Sequence, residues 1–168
     1  MCGCLCCGSG FWHDGPWHCA FAGTNVALTD QDSARLKSAQ AWMENDLRIL
    51  QEHGPAPSNA PFQLFERVSF VASLEQAVAK AQFVFEAVYE NLDTKQSVFR
   101  ILDEHAPSKT VLATTTSSLR VADIAAVVSD PSRVIGAHWA NPPYILPLVE
   151  VVLARLRATR LIPRSFPF

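Results

Sequence analysis

After Cys19 the chain has no cysteine. All 5 lie in the first nineteen residues, and Cys2, Cys4, Cys6 and Cys7 fall in the first seven. That clustering excludes a disulfide framework spread along a fold, and the cysteine-free remainder suits a reducing, cytoplasmic setting. An excess of positive charge is also missing. The 14 Lys and Arg against 16 Asp and Glu leave −2, which excludes the strongly basic footprint of a nucleic-acid binder. Long hydrophobic runs are missing too. The longest stretch without Asp, Glu, Lys or Arg, Val134 to Val149, holds His138, Asn141 and three prolines. It falls short of the roughly 18 apolar residues a membrane span needs, so no membrane partner is expected. There is no internal repeat and no low-complexity block.

What is present is the composition of a globular domain: 168 residues, 49% apolar and 18% charged, enough for one domain. Apolar runs alternate with amphipathic segments. Asn25 to Thr29 reads as a short strand ending at Asp30. Gln31 to His53 reads as a long helix, because Leu36, Ala39, Met43, Leu47 and Leu50 recur every three or four residues and share a face. Gly54 stops it, and a proline-rich loop follows. Arg67 to Ala72 reads as a strand, with Ser73 capping a helix from Leu74 to Lys80. Gln82 to Val88 is the next strand, and Asp93 caps a helix through Glu104. Thr110 to Thr114 and Arg133 to His138 are strands on either side of a helix from Ser118 to Val128. Leu148 to Val152 closes the pattern. Near-continuous Val, Ile, Leu and Phe strands between amphipathic helices predict an α/β fold with a mostly parallel, doubly wound sheet.

In such a sheet ligands bind at the carboxyl ends of the strands. Asp30, Glu90, Thr115 to Ser118 and His138 to Asn141 stand there. A carboxylate at Asp30 can accept both hydroxyls of an adenosine ribose and would repel a 2′-phosphate, favouring NAD over NADP. Alternatively, Asp30 simply caps the helix that follows. The matching phosphate loop should lie some 20 residues upstream. Gly8 and Gly10 supply the first half of a G-x-G-x-x-G pattern there, but Trp12 and His13 occupy the place of the third glycine; a leader without structure is the alternative.

His138 and Glu150 each lie in or close an apolar strand segment, with a proline-rich turn between them. Such a turn can bring an imidazole and a carboxylate together. The carboxylate then fixes the tautomer through one ring nitrogen, and the other nitrogen exchanges a proton with substrate. Ser117 and Ser118 are either N-cap residues or hydroxyls that bind a substrate oxygen. Glu90 and Lys95 have the spacing of a solvated helix pair. The leader cysteines with His13 and His18 match no standard zinc spacing, so no metal is expected.

Four ordered motifs combine these residues: Glu86-Ala-Val-Tyr-Glu90-Asn-Leu-Asp-Thr-Lys95, Leu112-Ala-Thr-Thr-Thr-Ser-Ser-Leu119, Gly136-Ala-His-Trp-Ala-Asn-Pro-Pro-Tyr144 and Pro147-Leu-Val-Glu-Val-Val152. Together they resemble the 3-hydroxyacyl-CoA dehydrogenase family over residues 20–152. The wording around Asn-Pro-Pro-Tyr and Pro-Leu-Val-Glu is most similar to its lambda-crystallin / L-gulonate 3-dehydrogenase branch. The resemblance implies a Rossmann-type NAD-binding domain over residues 21–152. It also implies hydride transfer between a 3-hydroxy acid or 3-hydroxyacyl-CoA and NAD. It makes His138 the general base, Glu150 its orienting partner and Ser117 the donor to the substrate oxygen. Asn141 would place substrate and nicotinamide, Glu90 and Lys95 would lie by the nicotinamide-side ribose, and Asp30 would hold the adenosine ribose. Thr115 stands where the family usually has Asn, and the helix after Asp30 lacks the Ser and Lys with which acyl-CoA members hold CoA.

The ends differ from this body. Residues 1–20 are an atypical Cys- and Gly-rich leader, and residues 153–168 carry four arginines and no acid. The family's helical C-terminal domain, which carries its main dimer contacts, has no counterpart in residues 153–168, so a homodimer is expected only with such a second domain. The expectation is a truncated or misread product whose cofactor domain remains. A degenerate paralogue, a catalytically inactive Rossmann module acting as a binding or scaffold protein, is the alternative.

Overall fold

The computed structural model describes residues 19–20, 23–53, 65–140 and 148–154; within the first long helix the side chains at 46, 47, 49–51 and 53 lie outside the description. Strand β1 is Val26–Leu28 and helix α1 Ser33–His53. Strand β2 (Val68–Phe70), the short helix α2 (Leu74–Val78) and β3 (Phe83–Glu86) follow. Helix α3 (Leu92–His105), β4 (Val111–Thr114) and α4 (Val121–Ala125) complete the middle of the chain. A 3₁₀ turn, Pro131–Arg133, leads into β5 (Val134–Trp139), and β6 (Val149–Leu153) comes last.

β1 and β2 pair in parallel, with Val26 opposite Val68. β3, β4 and β5 form a second parallel ladder, in which Val84 meets Leu112 and Leu112 meets Val134. β6 joins the edge of β5 antiparallel, with Gly136 opposite Val152. The strands thus form a two-stranded sheet, β1-β2, and a four-stranded sheet, β3-β4-β5-β6, parallel except for β6, as the near-continuous apolar strands predict.

Strand alternation decides which helix covers which face. Val84, Leu112 and Val134 point to one side, where they pack with Val78, Phe99, Leu102 and Ile124 of α2, α3 and α4. Phe85, Ala113 and Ile135 point to the other. There Phe85 also packs against Leu28 and Ala39 and against Val26 and Met43, so α1 covers this face. Helices on both faces explain why the strands are apolar along their whole length. At full burial, a side chain such as Leu112 or Phe99 contributes on the order of 1.5–3 kcal/mol. The Arg133 guanidinium, 2.6 Å from Asp103 Oδ1, ties the end of α3 to the start of β5.

Three helix starts differ from the sequence reading. α1 begins at Ser33 rather than Gln31, because Asp30 and Asp32 form successive side-chain turns: Asp32 N–H donates to Asp30 Oδ1 (2.8 Å) and Ala34 N–H to Asp32 Oδ1 (2.9 Å). α3 is capped by Asn91, not Asp93. Asn91 has extended backbone angles, and its Oδ1 accepts from Thr94 N–H at 3.0 Å, whereas Asp93 is already in the first turn. α4 begins at Val121, not Ser118, because the amides of Ser117 and Ser118 bond to Glu90. Ser73 does cap α2, accepting from Gln76 N–H.

Gly136 is required by a close approach. A Cβ there would stand 2.9 Å from Val121 Cγ2 and 3.3 Å from Val152 Cβ. Neither neighbour is the end of a flexible side chain. Gly136→Ala should therefore cost about 1–3 kcal/mol. Urea denaturation checks this: a lower midpoint at unchanged slope is expected, and an unaltered midpoint would contradict it.

Candidate functional site

Parallel strands all end at one edge, and the polar residues predicted for chemistry gather there. Thr29 and Asp30 follow β1, Glu86 closes β3, and Thr115 to Ser118 follow β4. Because Gly136 is the partner of Thr114, His138 stands two residues further along β5, level with the segment that leaves β4.

Asp30 lies in a cleft of about 570 Å³ at the tips of β1, β2 and β3, together with Arg35, Ala72, Ser73, Glu75 and Tyr89. One oxygen accepts the Asp32 amide in a local turn, while the residue lines an opening large enough for part of a ligand. It does not cap α1 directly; Asp32 accepts the Ala34 amide in the first turn of that helix.

Glu90 and Lys95 are not a solvated helix pair. Lys95 is 1% exposed, and its ammonium lies 2.9 Å from Glu86 Oε1 and 3.3 Å from Glu90 Oε2. Its remaining bond goes to the Val88 carbonyl at 3.3 Å. The spacing from Glu90 to Lys95 suggested a surface because it omits Glu86, which is wholly buried across from Lys95. Glu86 Oε1 also accepts Val88 N–H (2.6 Å), and its Oε2 accepts the Thr114 hydroxyl (2.7 Å). Residue typing missed Glu86; the available signal was a carboxylate ending the apolar run Phe83-Val84-Phe85.

Glu90 joins two loops. Its Oε1 accepts the amides of Ser117 and Ser118, each at 3.2 Å, and the hydroxyls of Thr116 and Ser118. Burial alone would raise its pKa. The Thr116 and Ser118 hydroxyls and then the Lys95 ammonium outweigh that and lower it to about 2. Ser117 and Ser118 are thus not helix caps; they form a turn held by a carboxylate from the neighbouring strand's loop.

His138 and Glu150 are cross-strand partners on β5 and β6. His138 Nδ1 lies 3.1 Å from Glu150 Oε2. The imidazole is 38% exposed and the carboxylate 70%, so the pair is open to a ligand. With Nδ1–H donating to the carboxylate, Nε2 is the nitrogen left to exchange a proton. Gly8, Gly10 and Asn141, like Cys2, Cys4, Cys6 and Cys7, lie outside the described residues. Among the described residues no cluster of His, Cys, Asp or Glu could hold a metal, and no helix is long and apolar enough to cross a membrane.

Comparison with known proteins agrees with this fold. Residues 6–166 match the family model for the 3-hydroxyacyl-CoA dehydrogenase, NAD binding domain. The chain is 35% identical over 133 residues to a probable 3-hydroxybutyryl-CoA dehydrogenase of Bacillus subtilis, covering 79% of this chain and 46% of that protein. It is 44% identical over 87 residues to an L-carnitine dehydrogenase of Streptomyces griseus, covering 52% of this chain and 26% of that one. Among solved structures, 3-hydroxybutyryl-CoA dehydrogenase of Escherichia coli K12 superposes with a TM-score of 0.83 at 29% identity, over 90% of this chain and 32% of that chain. The chain therefore spans less than half the length of these two curated relatives.

The low pKa of Glu90 links the site to stability. Its folded value, about 2, lies below the ordinary 4.5, so the unfolded chain binds more protons between these values. The contribution is complete above about pH 4.5 and is lost as pH falls toward 2. Because the carboxylate is 37% exposed, solvent screening reduces it to about 1 kcal/mol. Denaturation at pH 6 and pH 3 should show wild type losing this margin while Glu90→Gln does not; parallel losses would contradict the linkage.

Proposed function

Because the chain belongs to the 3-hydroxyacyl-CoA dehydrogenase, NAD binding domain family, and its cofactor is NAD, we propose that it acts in the reversible oxidation of a 3-hydroxy acid or 3-hydroxyacyl-CoA. The observation that carries this reading is the cross-strand pair of His138 and Glu150, 3.1 Å apart at the end of β5. Bound NAD supplies the hydride acceptor. The protein's part is to bind, orient and move one proton.

The residues present suit the cofactor. A carboxylate, Asp30, lines a cleft at the tip of β1, where an adenosine ribose can use it as a hydroxyl acceptor and a 2′-phosphate would be repelled. Glu90 and Ser117 form a joined pair of loops at the next strand tips, the region assigned to the nicotinamide side. In the oxidative direction His138 Nε2 takes the substrate hydroxyl proton, and in the reductive direction it returns it. Glu150 keeps the ring in the tautomer that leaves Nε2 as acceptor and faces the positive charge that arises on it. Ser117 enters the Glu90 network through its amide, and its hydroxyl is assigned to the substrate oxygen. Gly8 and Gly10 are assigned to the pyrophosphate and Asn141 to substrate and nicotinamide, on the family resemblance alone.

The substrate is a small molecule. The wording of the Asn141-Pro-Pro-Tyr144 motif supports the L-gulonate 3-dehydrogenase branch, and the similarity to an L-carnitine dehydrogenase likewise supports a free 3-hydroxy acid. Similarity to 3-hydroxybutyryl-CoA dehydrogenases supports the thioester. The cysteine-free stretch after Cys19 supports a cytoplasmic setting.

An NADH titration followed by nicotinamide fluorescence tests the cofactor, with turnover of 3-hydroxy acids and thioesters as the second measurement. Saturable NADH binding is expected, and no binding at millimolar cofactor by folded protein would overturn the reading. His138→Ala should leave NADH affinity unchanged and lower turnover by about 10²–10⁴-fold. NADH binding without any turnover would instead identify a cofactor-binding module that does not catalyse.

A further inference from the structure

The residues assigned above serve the cofactor and the reacting hydroxyl; none offers an exposed cation to the acid end of a substrate. We propose that Arg120 does so. Its guanidinium binds the carboxylate of a free 3-hydroxy acid whose hydroxyl meets His138, which makes the substrate class the free acid rather than the thioester. The inference rests on the reading of His138 given above.

Strand alternation places Arg120 on the right face. Val134, Gly136 and His138 share one face of β5, and Val152 and Glu150 face them from β6. That face is covered by α4: Val121 packs in one cluster with Val134, and a Cβ on Gly136 would stand 2.9 Å from Val121 Cγ2. β4 and β5 are parallel neighbours, so α4 carries the chain back from the rim at which β4 ends. Val121, its first residue, lies beside Gly136. Arg120 precedes it on the rim side. His138 stands about 7 Å beyond Gly136 in that same direction along β5.

The Arg120 side chain is little used by the fold. It occupies the N-cap position of α4 but makes no side-chain cap bond. Arginine is not among the residues favoured there, and a cation at a helix start gains nothing from the dipole. Its Nε lies 3.9 Å from Asp123 Oδ2, with the two side chains 80% and 45% exposed. A surface pair of this kind contributes little. Other cations are committed elsewhere: Lys95 is buried against Glu86, and Arg133 holds Asp103 at the opposite end of β5.

The chemistry of the substrate supplies the demand. In a free 3-hydroxy acid a single carbon separates the carbinol from the carboxylate. A substrate that sets its hydroxyl at His138 Nε2 therefore brings its negative charge close to the ring, against which Glu150 already places a carboxylate. A guanidinium offsets that repulsion and grips a carboxylate with two parallel hydrogen bonds. A thioester carbonyl at the same place is neutral and makes no such demand.

The test uses the full chain as wild type, Arg120→Gln and Arg120→Lys. NADH affinity and thermal midpoint should be equal in all three. Acetoacetate, its ethyl ester and acetoacetyl-CoA are then offered to each NADH complex, with turnover read as kcat/KM and binding by calorimetry. Arg120→Gln should lose about 10–100-fold for acetoacetate and nothing for the ester or the thioester, and Arg120→Lys should recover part of the loss. The two uncharged probes control for any change in fold. Equal losses for all three probes, no loss for acetoacetate, or a wild type that binds no acetoacetate would each overturn the proposal. Where wild type binds NADH but turns nothing over, the calorimetric affinities decide by the same criteria. Wild type that binds no NADH would instead overturn the oxidoreductase reading, and this inference with it.

Discussion

A parallel sheet ends its strands together, and at that edge the backbone leaves its ladder of hydrogen bonds. The amides just beyond each strand then need new acceptors. Here carboxylates supply several of them. Asp30 takes the Asp32 amide after β1, Glu86 takes the Val88 amide after β3, and Glu90 takes the Ser117 and Ser118 amides after β4. The acids at the candidate site therefore hold the edge of the sheet in shape as well as offering charge to a ligand. One constraint explains why residues far apart in the chain converge on one rim.

The same constraint separates the acids by environment. Glu86 is wholly buried and neutralised by Lys95, so it organises the interior. Glu90 is partly exposed and bound on both oxygens, so it joins two loops. Glu150 is largely exposed and bonds to the His138 imidazole, so it meets an ionisable ring in the open. Burial, partner and depth give the same functional group three different environments. His138 and Glu150 depend on the antiparallel register of β6 with β5, because a slip of one residue would turn Glu150 to the opposite face. Gly136, two residues before His138, lets β6 and Val121 approach closely enough for that register.

Much of the architecture was legible because it rests on short-range periodicity. The apolar runs at Phe83–Glu86 and Val111–Thr114 became strands, and the three- and four-residue spacing of Leu36, Ala39 and Met43 became the covered side of a long helix. Helix starts were less legible. Asn91 outcompeted Asp93 as a cap, and Ser118 was drawn away from α4 by Glu90; both outcomes depend on where a side chain two or more residues away comes to lie. The solvated-pair reading of Glu90 and Lys95 failed for a related reason. Five residues of spacing carry no information about a second acid on the preceding strand.

By itself the sequence determined the kind of fold, the order of its strands and helices, and the residue types available at the strand ends, because hydrophobic period and turn chemistry are local properties. Only the tertiary structure decided which of those residues meet. It set His138 against Glu150 through strand register, enclosed Lys95 between Glu86 and Glu90, and turned Ser117 and Ser118 from helix caps into a tethered loop. Such pairings depend on through-space distance across neighbouring strands, which chain separation does not encode.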